Sequence, residues 1–148
     1  MSKAENIVDA TSELIPDWAY LRHELWPMHT YQELRDELSD FLHDPLQKAW
    51  LYLANGTPIG FIEMSIKQNA IGCTTDRAGY VEAWYIKPEF QRKGIGSALL
   101  EIGESWAKSL GCTEMASDTT EDYPVSVAAH LKAGFVVVRR ATHFYKKI

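Results

Sequence analysis

The stretch EFQRKGIG, residues 89–96, decides the fold because it joins an apolar, strand-like run to a long amphipathic helix. The first turn of a helix leaves backbone N–H groups unpaired and presents partial positive charge, which suits an anionic group such as a pyrophosphate. Gly94 and Gly96 lack side chains that would keep a phosphate away from those N–H groups. Donors and positive charge come from Gln91, Arg92 and Lys93. The stretch predicts an anion-binding turn, although such glycines also serve plain turns.

Apolar periodicity on both sides of this stretch predicts the other elements. Helical spacing begins at Pro16, a residue suited to a first helical turn, and ends before Pro27. Asn55-Gly56 is a hairpin signal between two alternating runs. The predicted helices are residues 16–26, 30–45, 94–111 and 124–134. The predicted strands are residues 5–10, 48–54, 59–67, 79–86, 112–118, 135–140 and 143–147, with 67–79 as a loop.

The order of these elements predicts the fold class. One strand, two helices, three strands, a helix, a strand, a helix and two closing strands form a mixed α/β sheet with flanking helices. Because a strand, the glycine turn and a helix lead to another strand, the middle of the chain contains a crossover connection. No repeat, low-complexity tract or linker divides the sequence, so we expect residues 1–148 to form a single domain.

Composition narrows the classes of function. Of the 148 residues, 46% are hydrophobic and 24% are charged, as in ordinary globular proteins. No apolar stretch approaches the roughly 20 residues of a membrane span, and the start MSKAENIVDA lacks a signal peptide's apolar segment. We therefore expect a cytoplasmic protein that does not enter membranes. The net charge of −5, without a basic stripe, disfavours nucleic acid as a partner. Cys73 and Cys112 lack metal-ligand spacing, which predicts reduced thiols and no metal site.

The glycine turn also carries a family resemblance. QRKGIG, residues 91–96, follows VEAWYIKPEF, residues 81–90, and resembles the Gln/Arg-x-x-Gly-x-Gly/Ala signature of the GNAT superfamily of N-acetyltransferases. The dinucleotide fingerprint would need a third glycine, and the phosphate loop would need Gly-Lys-Ser/Thr. The resemblance implies that acetyl-CoA binds at this turn. It also implies that two parallel strands, residues 79–86 and 112–118, splay apart to admit the pantetheine arm.

Three segments resemble one group within this superfamily, the aminoglycoside 6'-N-acetyltransferases. They are LRHELWPMH at 21–29, VEAWYIKPEFQRKGIG at 81–96 and GCTEMASDT at 111–119. The resemblance implies direct attack of an aminoglycoside 6'-amino group on the thioester of acetyl-CoA, an activity that confers antibiotic resistance. It also implies a homodimer, for which the C-terminal strands could supply an edge.

Acetyl transfer needs a neutral amine, a thioester and a route for the amine's proton. Glu82 lies between apolar neighbours on a predicted central strand, where a carboxylate is costly unless it is paired or functional. The resemblance implies that Glu82 contacts the substrate amine, directly or through water, as the candidate base. Asp118 ends the next strand. It could cap a turn, or it could be a catalytic residue that holds a polycationic sugar together with Glu82, as the resemblance implies.

The resemblance extends to residues of both binding sites. A backbone N–H of residues 84–86 would meet the oxyanion of the tetrahedral intermediate. Candidate contacts of the acyl donor are Trp84, Tyr85, Ile86, Gln91, Arg92, Lys93, Gly94, Ile95, Gly96, Ser97 and Tyr123. Candidate contacts of the acceptor are Trp26, His29, Asn69, Glu82 and Asp118. Trp26 offers a ring face and His29 a hydrogen bond, although a core-packed aromatic and a surface histidine are the alternatives.

Some positions depart from the family pattern. His130 stands where many relatives have a tyrosine that protonates the leaving thiolate, and Tyr123 stands where they often have a CoA-contacting asparagine. His130 is therefore a candidate catalytic acid; the alternative is a helix histidine with a structural role, in which case solvent would protonate the thiolate. Residues 136–138 are valines followed by Arg139 and Arg140, where aminoglycoside relatives can carry an acidic substrate contact. The departure at the arginines weakens the prediction of a polycationic acceptor.

Two other functions stay open at this point. An acetyltransferase for another small amine, a polyamine or a peptide N-terminus would use the same chemistry with a different pocket. A catalytically silent acyl-CoA-binding regulatory domain would keep the glycine turn but would not need a carboxylate at position 82.

Overall fold

The computed structural model describes residues 3–148 of the chain. Its helices are α1 (Ile15–Leu25), α2 (Tyr31–Asp36), α3 (Leu38–His43), α4 (Ile95–Ser109) and α5 (Pro124–Lys132). Its strands are β1 (Ile7–Asp9), β2 (Gln47–Ala54), β3 (Thr57–Lys67), β4 (Ala78–Ile86) and β5 (Met115–Ser117). Among the described residues, no helix combines the length and the hydrophobicity that a membrane crossing needs.

The five strands form one sheet in the order β1-β2-β3-β4-β5. Neighbouring strands from β1 to β4 are antiparallel, whereas β4 and β5 are parallel. A parallel neighbour requires a crossover connection, and α4 provides it between β4 and β5. The predicted mixed α/β sheet with flanking helices is confirmed, and the crossover begins at the quoted glycine turn.

Apolar side chains cover both faces of this sheet because successive residues of a strand point to opposite sides. On one face, Trp50 and Ile62 belong to a buried cluster with Leu99 of α4. On the other face, Leu51 and Phe61 belong to a buried cluster that includes residues of α1 and α3. The central strands are therefore fixed between two helical layers, and their ends provide a rigid support for a site.

The predicted helix over residues 30–45 is two short helices in the structure. Thr30 caps α2 with a complete capping box, in which its hydroxyl accepts from Glu33 N–H and the Glu33 carboxylate accepts from Thr30 N–H. The chain then turns at Glu37, so that Leu38 and Phe41 of α3 are buried. Because Leu34 of α2 is buried as well, both short helices direct an apolar side towards the interior.

The prediction of two closing strands, residues 135–140 and 143–147, is wrong for the single chain. Residues 135–148 contain neither helix nor strand, and the predicted strand at 112–118 is reduced to Met115–Ser117. A strand needs a neighbour for its backbone N–H and C=O groups. Several apolar side chains of this tail remain exposed, including Phe144 at 93% and Tyr145 at 89%. The tail is therefore a segment whose apolar side chains are left largely exposed by its own chain, although Val138 lies close to Gly72.

Candidate active site

A cleft opens where β4 and β5 separate. The two strands pair only at Gly79 with Met115, Tyr80 with Ala116, and Val81 with Ser117, although β4 continues to Ile86. The resulting strand cleft has a volume of about 230 Å³. Its lining consists of Leu25, Trp26, residues 81–84, residues 117–120, Tyr123, Ser126 and His130. This geometry is the separation of parallel strands that the family resemblance implies.

Glu82 reaches this cleft because β4 contains an irregularity. Glu63 of β3 pairs with Ala83 and Met64 pairs with Val81, so Glu82 is the additional residue of a β-bulge. A bulge bends the strand and redirects the side chain of its extra residue. The carboxylate of Glu82 is exposed, and its Oε1 accepts a hydrogen bond of 2.7 Å from Ser65 Oγ. The predicted base therefore lies in the open cleft with one oxygen fixed.

Asp118 lies in the same cleft, directly after β5. Its Oδ1 accepts a hydrogen bond of 2.7 Å from Tyr80 Oη. Burial, together with this hydrogen bond and the negative charge of Asp118, raises the pKa of Tyr80 above its ordinary value. The phenol thus keeps its proton and donates a hydrogen bond to the Asp118 carboxylate. The structure brings Glu82 and Asp118, from two different strands, to one opening.

His130 reaches the cleft from α5. Its Nδ1 lies 2.7 Å from the backbone oxygen of Ser126, and its Nε2 lies 2.8 Å from Ser117 Oγ. The imidazole packs edge-on against the rings of Trp84 and Phe135, at centroid distances of 5.3 and 5.2 Å. The ring is therefore fixed in position by contacts at both nitrogens and on two sides.

The glycine turn lies at the start of α4. Gly94 has φ of 80°, in the left-handed region that favours glycine, and forms the N-cap of α4. Gln91 Nε2 donates to the backbone oxygen of Ile86, which connects the turn to the end of β4. Trp84 Nε1 donates to the backbone oxygen of Gly96 at 3.0 Å. The strand cleft and the helix start are therefore joined by direct hydrogen bonds, with the exposed cations Arg92 and Lys93 beside them.

A second depression, the acidic groove, adjoins the strand cleft and has a volume of about 550 Å³. Its lining consists of Arg22, Trp26, Glu37, Asp40, Phe41, Asp44, Gln47, Glu63 and Glu82. Trp26 and Glu82 line both depressions, so the groove leads to the candidate base. The lining of the groove contains five carboxylates and one guanidinium, so the groove attracts cations.

Sequence reasoning missed this groove, although a signal was present. Glu37, Asp40 and Asp44 follow one another at spacings of three and four residues. Such spacing places side chains on one face of a helix. The pattern predicts an acidic helical face, but the sequence does not indicate that this face borders Glu82.

The chain also matches a known protein family. Residues 14–135 match the acetyltransferase (GNAT) family. The chain belongs to the GNAT family. The resemblance to the GNAT superfamily is thereby confirmed.

Named GNAT relatives share most of their length with this chain. Aminoglycoside N(6')-acetyltransferase type 1 of Klebsiella aerogenes is 38% identical over 135 residues, which cover 88% of this chain and 89% of the relative. The protein of the same name from Stenotrophomonas maltophilia is 32% identical over 146 residues, which cover 97% of this chain and 94% of the relative.

Solved structures show the same GNAT architecture. The aminoglycoside 6'-N-acetyltransferase AAC(6')-IG from Acinetobacter haemolyticus has a TM-score of 0.88 at 31% identity, with 97% of this chain and 99% of that chain covered. AAC(6')-Iy in complex with CoA has a TM-score of 0.87 at 26% identity, with 96% of this chain and 94% of that chain covered. AAC(6')-Iy has also been solved with a bisubstrate analogue, CoA-S-monomethyl-acetylneamine. That structure has a TM-score of 0.86 at 26% identity, with 96% of this chain and 97% of that chain covered.

The other predicted contacts of this GNAT chain divide into two groups. Trp26, Trp84 and Tyr123 line the strand cleft, and Ile95 and Ser97 lie in the first turn of α4. His29 and Asn69 line neither depression. His29 is exposed near Glu33, and Asn69 lies in the loop between β3 and β4. Their assignment to the acceptor site stays a prediction without a contact that supports it.

Tyr85 and Ile86 contribute differently from Trp84. The phenol of Tyr85 donates to Glu24 Oε1 at 3.2 Å, on the side of the sheet that α1 covers. Burial, and then the charge of Glu24, raises the pKa of Tyr85 to about 12. Ile86 is buried. Only the backbone groups of these two residues are therefore candidates for contact with the acyl donor.

A buried ion pair forms part of the lining of the acidic groove. Glu63, 1% exposed, accepts hydrogen bonds from Arg22 Nε at 2.8 Å, Arg22 Nη2 at 3.0 Å and Trp18 Nε1 at 3.0 Å. Burial disfavours the charged form of Arg22 and by itself would lower the pKa of the guanidinium. The hydrogen bonds to Glu63 and Glu37 and the negative charges of these residues outweigh burial, so the pKa of Arg22 is raised. The guanidinium lies 5.3 Å from the ring centroid of Trp26. The network therefore also fixes a residue shared by both depressions.

Proposed function

We propose that the chain transfers the acetyl group of acetyl-CoA to the 6'-amino group of an aminoglycoside. The observation that carries this proposal is the position of Glu82, where the strand cleft meets the acidic groove. The cleft suits a thioester beside the glycine turn, and the groove suits a polycationic acceptor. The names of the GNAT relatives and the bisubstrate complex of AAC(6')-Iy support the same pair of substrates.

The chain's own residues then perform defined steps. Glu82, fixed by Ser65, takes the proton of the acceptor amine directly or through water, which leaves a neutral nucleophile. The amine attacks the thioester carbonyl, and a backbone N–H of residues 84–86 stabilises the oxyanion. Asp118 and the acidic groove hold the other ammonium groups of the acceptor. The pyrophosphate of the donor binds the N–H groups at the start of α4, with positive charge from Arg92 and Lys93.

The proposed assembly is a homodimer in which each subunit is one catalytic domain. The exposed valines at positions 136–138, together with Phe144 and Tyr145, form a tail that the single chain leaves uncovered. Helix α5, which precedes this tail, has no buried residue and exposes Val125 and Leu131. A second copy would cover both surfaces and provide neighbours for strands in the tail. The cytoplasmic location stays a prediction from the sequence.

A thiol-release assay tests the proposed reaction. Acetyl-CoA is supplied with an aminoglycoside that has a 6'-amino group, with its 6'-hydroxyl counterpart, with a polyamine and with a peptide amine. We expect turnover of the 6'-amino compound and none of the 6'-hydroxyl compound, because only the amine becomes a sufficient nucleophile. Turnover of the polyamine or peptide alone would identify a different acceptor, and the absence of turnover together with tight CoA binding would indicate a silent domain.

A further inference from the structure

Ser117 lies at the point where the two strands of the cleft separate. It is the last residue of β5, and its pairing partner Val81 is the last position of β4 that the parallel ladder includes. Its hydroxyl lies 3.2 Å from the backbone oxygen of Val81 and 2.8 Å from His130 Nε2. Ser117 and His130 both line the strand cleft. The hydroxyl therefore lies between an imidazole and the space that the proposed reaction assigns to the thioester.

The surroundings of His130 define which nitrogen carries a proton. A backbone oxygen only accepts, so the 2.7 Å contact with Ser126 requires a proton on Nδ1. The neutral imidazole then accepts the Ser117 hydroxyl proton at Nε2. The protonated imidazole fits equally well, because Nε2–H donates to Ser117 Oγ while the hydroxyl donates to Val81 O. The chain of bonds from Ser126 through His130 and Ser117 to Val81 accommodates both protonation states without movement of a heavy atom.

We propose that Ser117 delivers the proton to the departing CoA thiolate and that His130 returns a proton to Ser117. The proposal rests on the proposed acetyl transfer and adds a residue to it. It also changes the expected role of His130, which reaches the sulfur through the serine hydroxyl. His130 is thus a positioning and proton-supplying residue for Ser117.

The step balances in protons and electrons. As the tetrahedral intermediate collapses, the C–S bond breaks and its electron pair goes to sulfur. The Ser117 hydroxyl rotates from Val81 O towards the sulfur and transfers its proton, while Nε2–H of the imidazolium transfers a proton to Ser117 Oγ. The products are the CoA thiol, an intact serine and a neutral imidazole with its proton on Nδ1. Solvent restores the imidazolium for the next turnover.

Two tyrosine hydroxyls near the cleft are the competing acids. The hydroxyl of Tyr80 already donates a hydrogen bond to the Asp118 carboxylate. Tyr123 lines the cleft and is the alternative proton donor to the thiolate. The test therefore includes Tyr123→Phe beside the variants of the proposed pair.

The decisive experiment varies the leaving group. Initial rates with a 6'-amino aminoglycoside are measured for acetyl-CoA and for the acetyl thioester of a nitrothiophenol, whose low-pKa thiol leaves without an acid. Because general acid catalysis contributes at least about 100-fold, we expect Ser117→Ala to lower the acetyl-CoA rate by about that factor and to leave the aryl thioester rate nearly unchanged. His130→Gln should show the same selectivity, and Ser117→Thr should retain activity with both donors.

A second measurement uses acetyl-CoA alone. The wild-type protein should show a solvent deuterium isotope effect on kcat with a curved dependence on the deuterium fraction, because two protons move together, and Ser117→Ala should lose the curvature. Calorimetry of CoA binding checks that each variant keeps the donor site. Equal losses with both donors, full activity of Ser117→Ala, unchanged curvature in that variant, or leaving-group selectivity in Tyr123→Phe alone would each overturn the proposal.

Discussion

Ser65 Oγ donates a hydrogen bond of 2.7 Å to Glu82 Oε1, across the neighbouring strands β3 and β4. Ser65 is buried, whereas the Glu82 carboxylate is exposed in the strand cleft. The bulge brings Glu82 to the cleft, and the serine selects its orientation. One carboxylate oxygen is thereby occupied, and the other remains available to the acceptor amine or to water.

The first prediction concerns this hydrogen bond. Ser65→Ala should lower kcat/KM for the acceptor by roughly tenfold, because a hydrogen bond to a charged group contributes about 1.5 kcal/mol or more. CoA affinity should not change. Ser65→Thr keeps a hydroxyl on a strand position and serves as the control. Steady-state kinetics with both substrates make the comparison, and full activity of the alanine variant would show that Glu82 needs no such support.

The second prediction concerns the donor site at Gly94, which has φ of 80°. Asparagine tolerates the left-handed region better than most residues, so Gly94→Asn should fold. Its side chain should obstruct the N–H groups at the start of α4 and weaken CoA binding. Gly111 ends α4 with φ of 88° and open space around it, so Gly111→Asn is a matched control that should bind CoA normally. Calorimetry of folded proteins gives both affinities, and equal values would contradict an anion site at Gly94.

The third prediction concerns the buried pair of Arg22 and Glu63. Glu63→Gln leaves the guanidinium without its buried counter-charge, which typically costs about 3–5 kcal/mol. Glu37→Gln removes a carboxylate whose side chain is 65% exposed, and such a loss should cost less than about 1 kcal/mol. Urea unfolding measures both free energies. A Glu63→Gln protein as stable as Glu37→Gln would show that the buried network is dispensable for folding.

The sequence predicts the scaffold of the site better than its details. Periodicity and the glycine turn suffice for the sheet and the crossover helix, because those signals are local, whereas the separation of the two parallel strands is implied only by the resemblance to the GNAT superfamily. The bulge at Glu82 depends on how β3 and β4 pair, so no local pattern indicates which residue is extra. Glu63 alternates with apolar neighbours like a surface residue, and its partner Arg22 lies 41 positions away. Only the folded chain shows that this carboxylate is buried.

For the C-terminal tail, residues 135–148, the sequence indicates strand-forming residues but not the strand with which they would pair. Its apolar residues favour strands by propensity, but propensity does not specify a partner strand. The short strand β5 is the last in the sheet order, and the tail does not pair with it in the single chain. The missing neighbour is the reason that the two predicted strands do not form.

The fourth prediction concerns this tail. A chain that ends after Phe135 should be monomeric, whereas the full-length chain should be a dimer at micromolar concentration, because the tail supplies the apolar surface of the proposed interface. Replacement of Phe144 and Tyr145 by lysine should have the same effect without a change of length. Replacement of Lys146 and Lys147 by serine is the control. Sedimentation velocity measures the mass, and a monomeric full-length chain would contradict the proposed dimer.

The last prediction concerns the acidic groove. Asp40→Asn and Asp44→Asn should each raise KM for a polycationic aminoglycoside by roughly threefold, as expected for one exposed ion pair. The value of kcat should stay nearly constant, because neither carboxylate lines the strand cleft. Raising the ionic strength should increase KM of the wild-type protein more than KM of the doubly substituted one, since salt screens exposed charges.

Asp36 provides the matched control, because it is exposed on α2 and does not line the groove. Asp36→Asn changes the net charge by the same amount as Asp40→Asn, so a general effect of charge would raise KM equally in both variants. An effect confined to Asp40 and Asp44 would place the cationic acceptor in the groove. Unchanged KM in the doubly substituted protein would instead assign acceptor binding to Glu82, Asp118 and Trp26 alone.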